Sequence, residues 1–452
     1  MKNNTLKYAL LLISAIVYIL IGYFTKREEF YQFFGLYTFA FAAFLFFYFS
    51  QKGKIKFSEI LKISILLRVI LLFSIPILSN DFYRFIWDGR LISIGFNPYL
   101  SLPNEIINSQ DAVLLGKDVN ELYSGQGSLS PGNYTCYPPL NQFFFFIAAL
   151  LSPKSIYGSV IILRVFMILA DIGTIIYSKK ILRKLNLPES NILLFALNPF
   201  IIIELTGNLH FEGVTIFFLV LAIYFLLNDR FQKSAIWMAF SISVKLIPLI
   251  FIPLFLKKLG QINTLKYLLI TGVISILLFI PFLSSGLIEN FMSSIDLYFR
   301  KFEFNASFYY IIRWIGFDLK GWNIIQKVGP LLGLSVFIIV LLFSIIRRNE
   351  KPQVLLVSML FAISIYYFLS TTIHSWYIAI PLIISVFTQY RFVVVWSFLI
   401  MLSYSAYGNN TFKENYLLIF VEYFVVFGYM IIEVYKSRFQ SFKSQLHKHA
   451  SI

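Results

Sequence analysis

The residues best able to do chemistry stand in a polar run that reads Asn80-Asp81-Phe82-Tyr83-Arg84-Phe85-Ile86-Trp87-Asp88-Gly89-Arg90. If this run is helical, Asp81, Arg84 and Asp88 lie three and seven positions apart and share one face. Two carboxylates beside a guanidinium could activate a hydroxyl and hold an anionic group. Equally, Asp81 could cap the helix while Arg84 offsets the nearby acids. Spacing alone leaves both readings open.

Further polar residues interrupt otherwise apolar sequence. His210 and Glu212 stand at a junction between two apolar runs, Lys245 lies inside Ile242-Ser243-Val244-Lys245-Leu246-Ile247-Pro248, and His374-Ser375-Trp376-Tyr377 follows another apolar run. A cation in an apolar phase is costly unless it snorkels or finds a partner. Lys245 therefore reads either as a ligand for the phosphate of an anionic lipid or as half of a structural ion pair. His210 reads as a substrate contact or a hydrogen-bonded cap, and Trp376 and Tyr377 also fit an interfacial aromatic belt. Arg164 has two readings as well, lipid phosphate or a pair with Asp171 two turns on.

These residues need elements that hold them, and composition says what kind. Of the 452 residues, 58% are hydrophobic and 13% charged, with a mean hydropathy of +0.77, too apolar for a water-facing surface. The runs Tyr8 to Tyr23, Phe33 to Phe49, Ile60 to Leu78, Leu265 to Phe282 and Leu331 to Ile346 approach or reach the length that crosses hydrocarbon. A lipid-facing barrel would require alternation, whereas Phe143, Phe144, Phe145 and Phe146 are consecutive. The reading is an all-α polytopic membrane protein of about 11 to 13 membrane helices. The net charge of +16 does not point to nucleic acid, because the basic residues cluster beside apolar runs, at Lys52 to Lys56, Lys179 to Lys184, Arg347 to Lys351 and Lys436 to Lys448. That placement fits inward-facing loops against anionic membrane lipids. The single Cys136 forms no internal disulfide.

With the Lys52 turn inside, the Lys26 to Glu29 turn and the long polar segment 80–137 fall outside, the latter as short helices on the outer face. Charge parity then fails at two places. Of Pro138 to Leu151, short for a span, and Val160 to Tyr177, one must be partial or re-entrant to keep the basic turn after them inside, and Ser234 to Leu256, interrupted by Pro248 and Pro253, has basic turns at both ends. Each implies a partial or broken helix, tolerated where protein or a cavity surrounds the freed backbone. The chain divides into an N-terminal helix pair (1–58), a membrane body (59–435) containing the outer loop 80–137, and a basic cytoplasmic tail (436–452).

Asp81-Phe82-Tyr83-Arg84, Gly95-Phe96-Asn97-Pro98-Tyr99, Tyr137-Pro138-Pro139-Leu140, Ser243-Val244-Lys245-Leu246-Ile247-Pro248 and His374-Ser375-Trp376-Tyr377 together resemble the bacterial polytopic glycosyltransferases of the GT-C superfamily, near the alpha-mannosyltransferases. The resemblance runs from about Ile60 to Val434; the N-terminal pair departs from the simplest family layout. It implies a polyprenyl-phosphate sugar as donor, most simply mannose, and a glycan or glycolipid hydroxyl as acceptor. It places transfer on the extracytoplasmic side of a bacterial inner membrane. It makes Asp81, which opens the outer-loop motif, the catalytic residue, with Asp88 second. Arg84, Asp88, Tyr137, His210, Glu212, Lys245, His374, Trp376 and Tyr377 are then expected to bind substrate. No cofactor beyond the donor and no metal ligand is assigned. A transporter or flippase of lipid-linked sugars would use similar membrane charges and broken helices, and would betray itself by inverted repeats. A noncatalytic envelope-assembly component would lack a path from lipid to Asp81.

Overall fold

The computed structural model describes residues 2–408 and 412–449. Its architecture is helical, and among the described residues the only β pairing is an isolated bridge between Phe304 and Thr372. Two long N-terminal helices, α1 (Lys2–Phe24) and α2 (Phe30–Gln51), are followed by α3 (Phe57–Val69) and then by α4 (Asp81–Ser93), which opens the polar segment. The rest of that segment forms short turns of helix at Pro103–Ile106, Gln110–Leu115, Val119–Ser124 and Ser130–Gly132, as its turn-rich composition suggested. Arg90 of α4 binds Asp118 Oδ2 at 2.8 Å, and Tyr99 donates to the Tyr137 carbonyl at 2.7 Å. The segment is thus folded back on α4.

Next come α5 (Pro139–Leu151), α6 (Ile156–Lys184), α7 (Glu212–Leu227) and α8 (Phe231–Val244). Helices α4 and α5 lie in close contact because position 89 is glycine: a Cβ there would fall 2.2 Å from the Phe145 carbonyl oxygen. Phe85 stacks on Phe145 beside it at 4.7 Å between ring centroids. Between α6 and α7 the chain 189–207 is apolar but bent by 49°, and its last turn, Ile202–Gly207, is a π-helix. After α8 the chain breaks at Lys245-Leu246 and returns as a 3-10 segment, Ile247–Phe255, the break that the two prolines and the flanking charges had indicated. Lys258, just beyond it, pairs with Asp229 of the α7–α8 turn at 2.7 Å, so both lie at one end of the molecule. Lys184 at the end of α6 reaches Asn228 at the same end. The start of α7 and the end of α8 lie about 24 Å away, at the other end.

The second half contains α9 (Gln261–Phe279), α10 (Leu287–Arg300), α11 (Phe308–Lys320), α12 (Ile325–Ile346), α13 (Pro352–Phe368), α14 (Ala379–Val386), α15 (Phe392–Leu399) and α16 (Tyr416–His449). Among the described residues six helices are long and apolar enough to cross a membrane, or seven if the bent pair 189–207 counts as one. The protein is therefore polytopic. The higher number expected from sequence includes shorter apolar helices such as α5 and α7, whose 13 and 16 residues extend only about 20 to 24 Å against ~30 Å of hydrocarbon.

The run Ile60 to Leu78 is a correction. It reads as one span, but the helix stops at Val69 and irregular backbone continues to Asn80. The reason is Arg164, which donates to the carbonyls of Leu72 (3.0 Å) and Ser74 and, on its other edge, to Thr206 and Gly207 (both 2.9 Å). One buried guanidinium satisfies the free carbonyls of two broken segments. Arg164 thus has neither of the roles read from sequence, and Asp171 pairs instead with Arg68 at 2.6 Å.

Candidate active site

A cavity of about 620 Å³ opens at the end of the molecule where α7 begins and α8 ends. Asp81, Arg84, Tyr137, His210, Glu212, Lys245, His374, Trp376 and Tyr377 all line it, although they come from five separate stretches of chain. Asp88 does not. It is a fully buried residue of α4 facing α5, bound to Arg84 Nε at 2.7 Å and to Gln142 Nε2 at 3.1 Å. Arg84 also donates to the carbonyls of Ser130 (3.1 Å) and Asn133 (3.0 Å), so the pair fastens the polar loop to α4. Asp81 and Asp88 therefore do not act on one face toward a common substrate.

Asp81 occupies the first turn of α4, with Asn80 at the cap position, where the helix dipole favours a negative charge. Its side chain is 34% exposed, toward the cavity. Burial in the surrounding protein raises its pKa, opposed by the His210 ring when that ring is protonated and by Arg27. A carboxylate with raised basicity, open to a cavity, suits proton abstraction from a hydroxyl.

His210 follows Leu209, which holds a left-handed φ of 63°, a conformation that costs a branched residue roughly 1–3 kcal/mol. The strained turn aims the imidazole back toward α4, with Nδ1 3.8 Å from Asp81 Oδ2 and Nε2 3.4 Å from Glu204 Oε2. The ring is clamped in a stack: its centroid is 3.6 Å from that of Trp376, which lies 4.5 Å from His374 in nearly parallel planes. The Phe304–Thr372 bridge fixes the backbone leading into His374, with Ile373 N donating to Phe304 O at 2.8 Å.

Lys245 sits at the C-terminal cap of α8. Its ammonium pairs with Glu212 of the first turn of α7 and lies 4.2 Å over the Tyr377 ring, while its side chain keeps 28% exposure. The structure thus gives Lys245 the internal partner that was one of its two readings and leaves it open to the cavity as well. Asn141 of α5 braces this corner by donating to the Val244 carbonyl at 2.7 Å.

Two residues escape a reading of the sequence. Arg27, in the α1–α2 turn, lines the cavity with its guanidinium over Tyr407, and no carboxylate pairs with it among the described residues. Glu204, fully buried in the π-helix, accepts from Tyr404 at 2.9 Å and Asn208 at 3.1 Å behind His210. The signal for Glu204 was present, an acid inside an apolar run. Arg27 gave none, since a basic residue in a short turn between helices is ordinary. The cavity also has an apolar wall, formed by Leu246 and Ile247 after the α8 break, by Phe299 and Phe302, and by Gly329, Gly333 and Val336 along one face of α12. Among the described residues no group of three or more His, Cys, Asp or Glu side chains is placed to hold a metal ion.

The profile of a family described as alpha-(1->6)-mannopyranosyltransferase, N-terminal domain, matches residues 23–259, just over half of the chain. The chain belongs to that family. It is a membrane mannosyltransferase of GT-C type, taking mannose from a polyprenyl-phosphate donor to a glycan or glycolipid acceptor. The matched region starts within α1 and contains Arg27 and all of α2, along with Asp81, Glu204, His210, Glu212 and Lys245. No individual protein of curated function matches the chain.

Proposed function

We propose that Asp81 is the general base of an inverting mannosyl transfer carried out in this cavity on the extracytoplasmic side of a bacterial inner membrane. The observation that carries the reading is that Asp81 opens onto a cavity with cations on its polar side and an apolar wall on the other. A lipid-linked donor needs that combination, because its phosphate is anionic and its tail apolar. Asp81 accepts the proton of the attacking hydroxyl as the lipid phosphate departs, while Arg27, Lys245 and Arg84 offset charge on the leaving phosphate. A retaining route would need a second carboxylate suitably placed for a covalent intermediate. Glu212, the other cavity acid, is engaged by Lys245.

Segment 80–137 is then the first long extracytoplasmic loop, after the short outer turn at Lys26 to Glu29, and the shorter apolar helices are crossings completed by broken neighbours. The division into helix pair (1–58), body (59–435) and basic tail (436–452) is part of the same proposal. The presence of Arg27 in the cavity makes the helix pair contribute to the site. The test is transfer by the purified protein from polyprenyl-phosphate mannose to an oligomannoside acceptor, with the anomeric configuration read by NMR. An inverted product is expected; no transfer, or retained configuration, overturns the reading.

A further inference from the structure

Asp81, His210 and Glu204 lie in sequence from the cavity into the buried π-helix, with the imidazole between the two carboxylates at 3.8 and 3.4 Å. We infer that His210 and Glu204 form a proton relay behind Asp81, in which Glu204 is a positioning residue that aims the imidazole and supplies its countercharge. The inference rests on Asp81 being the base.

Four features point the same way. Glu204 has no exposed surface, yet it sits in an apolar segment where a carboxylate is costly to keep. Tyr404 and Asn208 fix its two oxygens, which leaves its second oxygen facing His210 Nε2. The segment carrying it is a π-helix, a form concentrated at functional sites, and the next turn holds the left-handed Leu209. Trp376 covers the face of the ring at 3.6 Å and so limits its rotation. Neither contact of the imidazole is a formed hydrogen bond here, and His210 Nε2 is buried without a hydrogen-bond partner among the described residues, as is common before substrate tightens a site.

The proposed step balances as follows. The acceptor oxygen forms its bond to the sugar C1 while the C1–O(phosphate) bond breaks and its electron pair leaves on the phosphate. The acceptor proton forms an O–H bond on Asp81 and passes to His210 Nδ1, while the Nε2–H edge of the ring, 3.4 Å from Glu204 Oε2, closes to a hydrogen bond with that carboxylate. The proton then returns through Asp81 to the phosphate monoester, restoring the neutral ring.

Removing the negative charge of Glu204 makes the Asp81–His210 pair a weaker base, so turnover falls and the acid limb of activity moves to lower pH. The other groups around the pair stay in place: Arg27, Glu212 and Lys245 around Asp81, His374 beyond Trp376, and Tyr404 and Tyr37 around Glu204.

The experiment compares Glu204→Gln, Glu204→Asp and Asp81→Asn full-length enzymes in single turnovers with polyprenyl-phosphate mannose across pH. Glu204→Gln is expected to lower kcat about 100-fold with donor KM changed less than about twofold. Its acid limb should fall by about one pH unit, and Glu204→Asp should recover part of both effects. Lost activity with an unmoved limb, or near-normal activity, overturns the relay. If Glu204→Gln does not fold, His210→Ala takes its place: added imidazole should restore part of its turnover, and no restoration overturns the relay. Continued transfer by Asp81→Asn would sink the base assignment itself, whereas an inert Asp81→Asn beside an unmoved limb sinks the relay alone.

Discussion

The guanidinium of Arg27 lies 3.5 Å over the ring of Tyr407, so the turn between the first two helices and the 3-10 segment before residue 408 meet at the cavity wall. Arg27 Nε is buried without a hydrogen-bond partner among the described residues. Arg84 and Lys245, by contrast, are each held by a carboxylate. Arg27 is therefore the cavity cation with most capacity left for a phosphate. Arg27→Gln should raise the donor KM about 10- to 100-fold, the range for losing a hydrogen bond to a charged group. Steady-state kinetics with varied donor checks this, and an unchanged KM removes Arg27 from the donor site.

Lys245 calls for a different design, because its pair with Glu212 mixes structure with binding. Lys245→Met leaves the nearly buried Glu212 carboxylate without its cation and should cost about 3 kcal/mol of stability. The double change Lys245→Met with Glu212→Gln removes both charges and should regain most of that loss. Donor affinity separates the roles. If it stays weak in the stable double variant, Lys245 binds the lipid phosphate; if it returns to the normal value, the lysine serves the fold alone.

The pH dependence follows from the burial of Asp81. Its carboxyl is raised above the ordinary 3.8, chiefly by loss of hydration. A base must be ionised, so activity is present above the raised pKa and is lost as pH falls through it. The acid limb of kcat/KM should therefore lie at higher pH than for a free aspartate. Arg27 opposes the rise, so Arg27→Gln should move the limb further upward. A limb at or below the free-carboxylate value would contradict both statements.

What could be read in the sequence follows from which costs are local. Lys245, His210 and His374 were visible because polar groups in apolar sequence need a reason to be there, and the structure gathers all three around one cavity. The break after Val244 was visible too, from Pro248 and Pro253 between basic turns. The early end of α3 was not, since the group that makes it tolerable, Arg164, lies some ninety residues further on. Asp88 misled for a similar reason. Its offset from Asp81 placed it on a shared face, but Gln142 and Arg84 hold it in the interior.

The direction of the chain through the membrane can be tested directly. Lys184, Asp229 and Lys258 meet at the end of the molecule away from the cavity, and Arg347 follows α12, whose early residues line it. Positive charge beside spans marks the cytoplasmic side. In a chain with Cys136 replaced by Ser, cysteines placed at Lys179 or Arg347 should resist an impermeant thiol reagent in intact cells. One at Asp111, on the polar loop, should react readily. The reverse pattern would place the cavity in the cytoplasm and remove the extracytoplasmic assignment.

Asp81 and Asp88 make the sharpest comparison, since they share a helix and a side-chain type but differ in surroundings. Asp81 faces the cavity, whereas Asp88 is enclosed with Arg84 and Gln142. Asp81→Asn keeps the size of the side chain and removes its ability to take a proton. It should lower single-turnover transfer at least about 100-fold while the protein still folds and binds donor. Asp88→Asn should do the opposite. It leaves the buried Arg84 guanidinium without a countercharge, which costs about 3 kcal/mol and loosens the loop held at Ser130 and Asn133, yet the folded fraction should carry out the chemical step at a near-normal rate. Thermal unfolding in detergent and single-turnover transfer at saturating donor separate the two effects. A fast Asp81→Asn enzyme, or a stable but inert Asp88→Asn enzyme, would exchange the roles assigned to the two carboxylates.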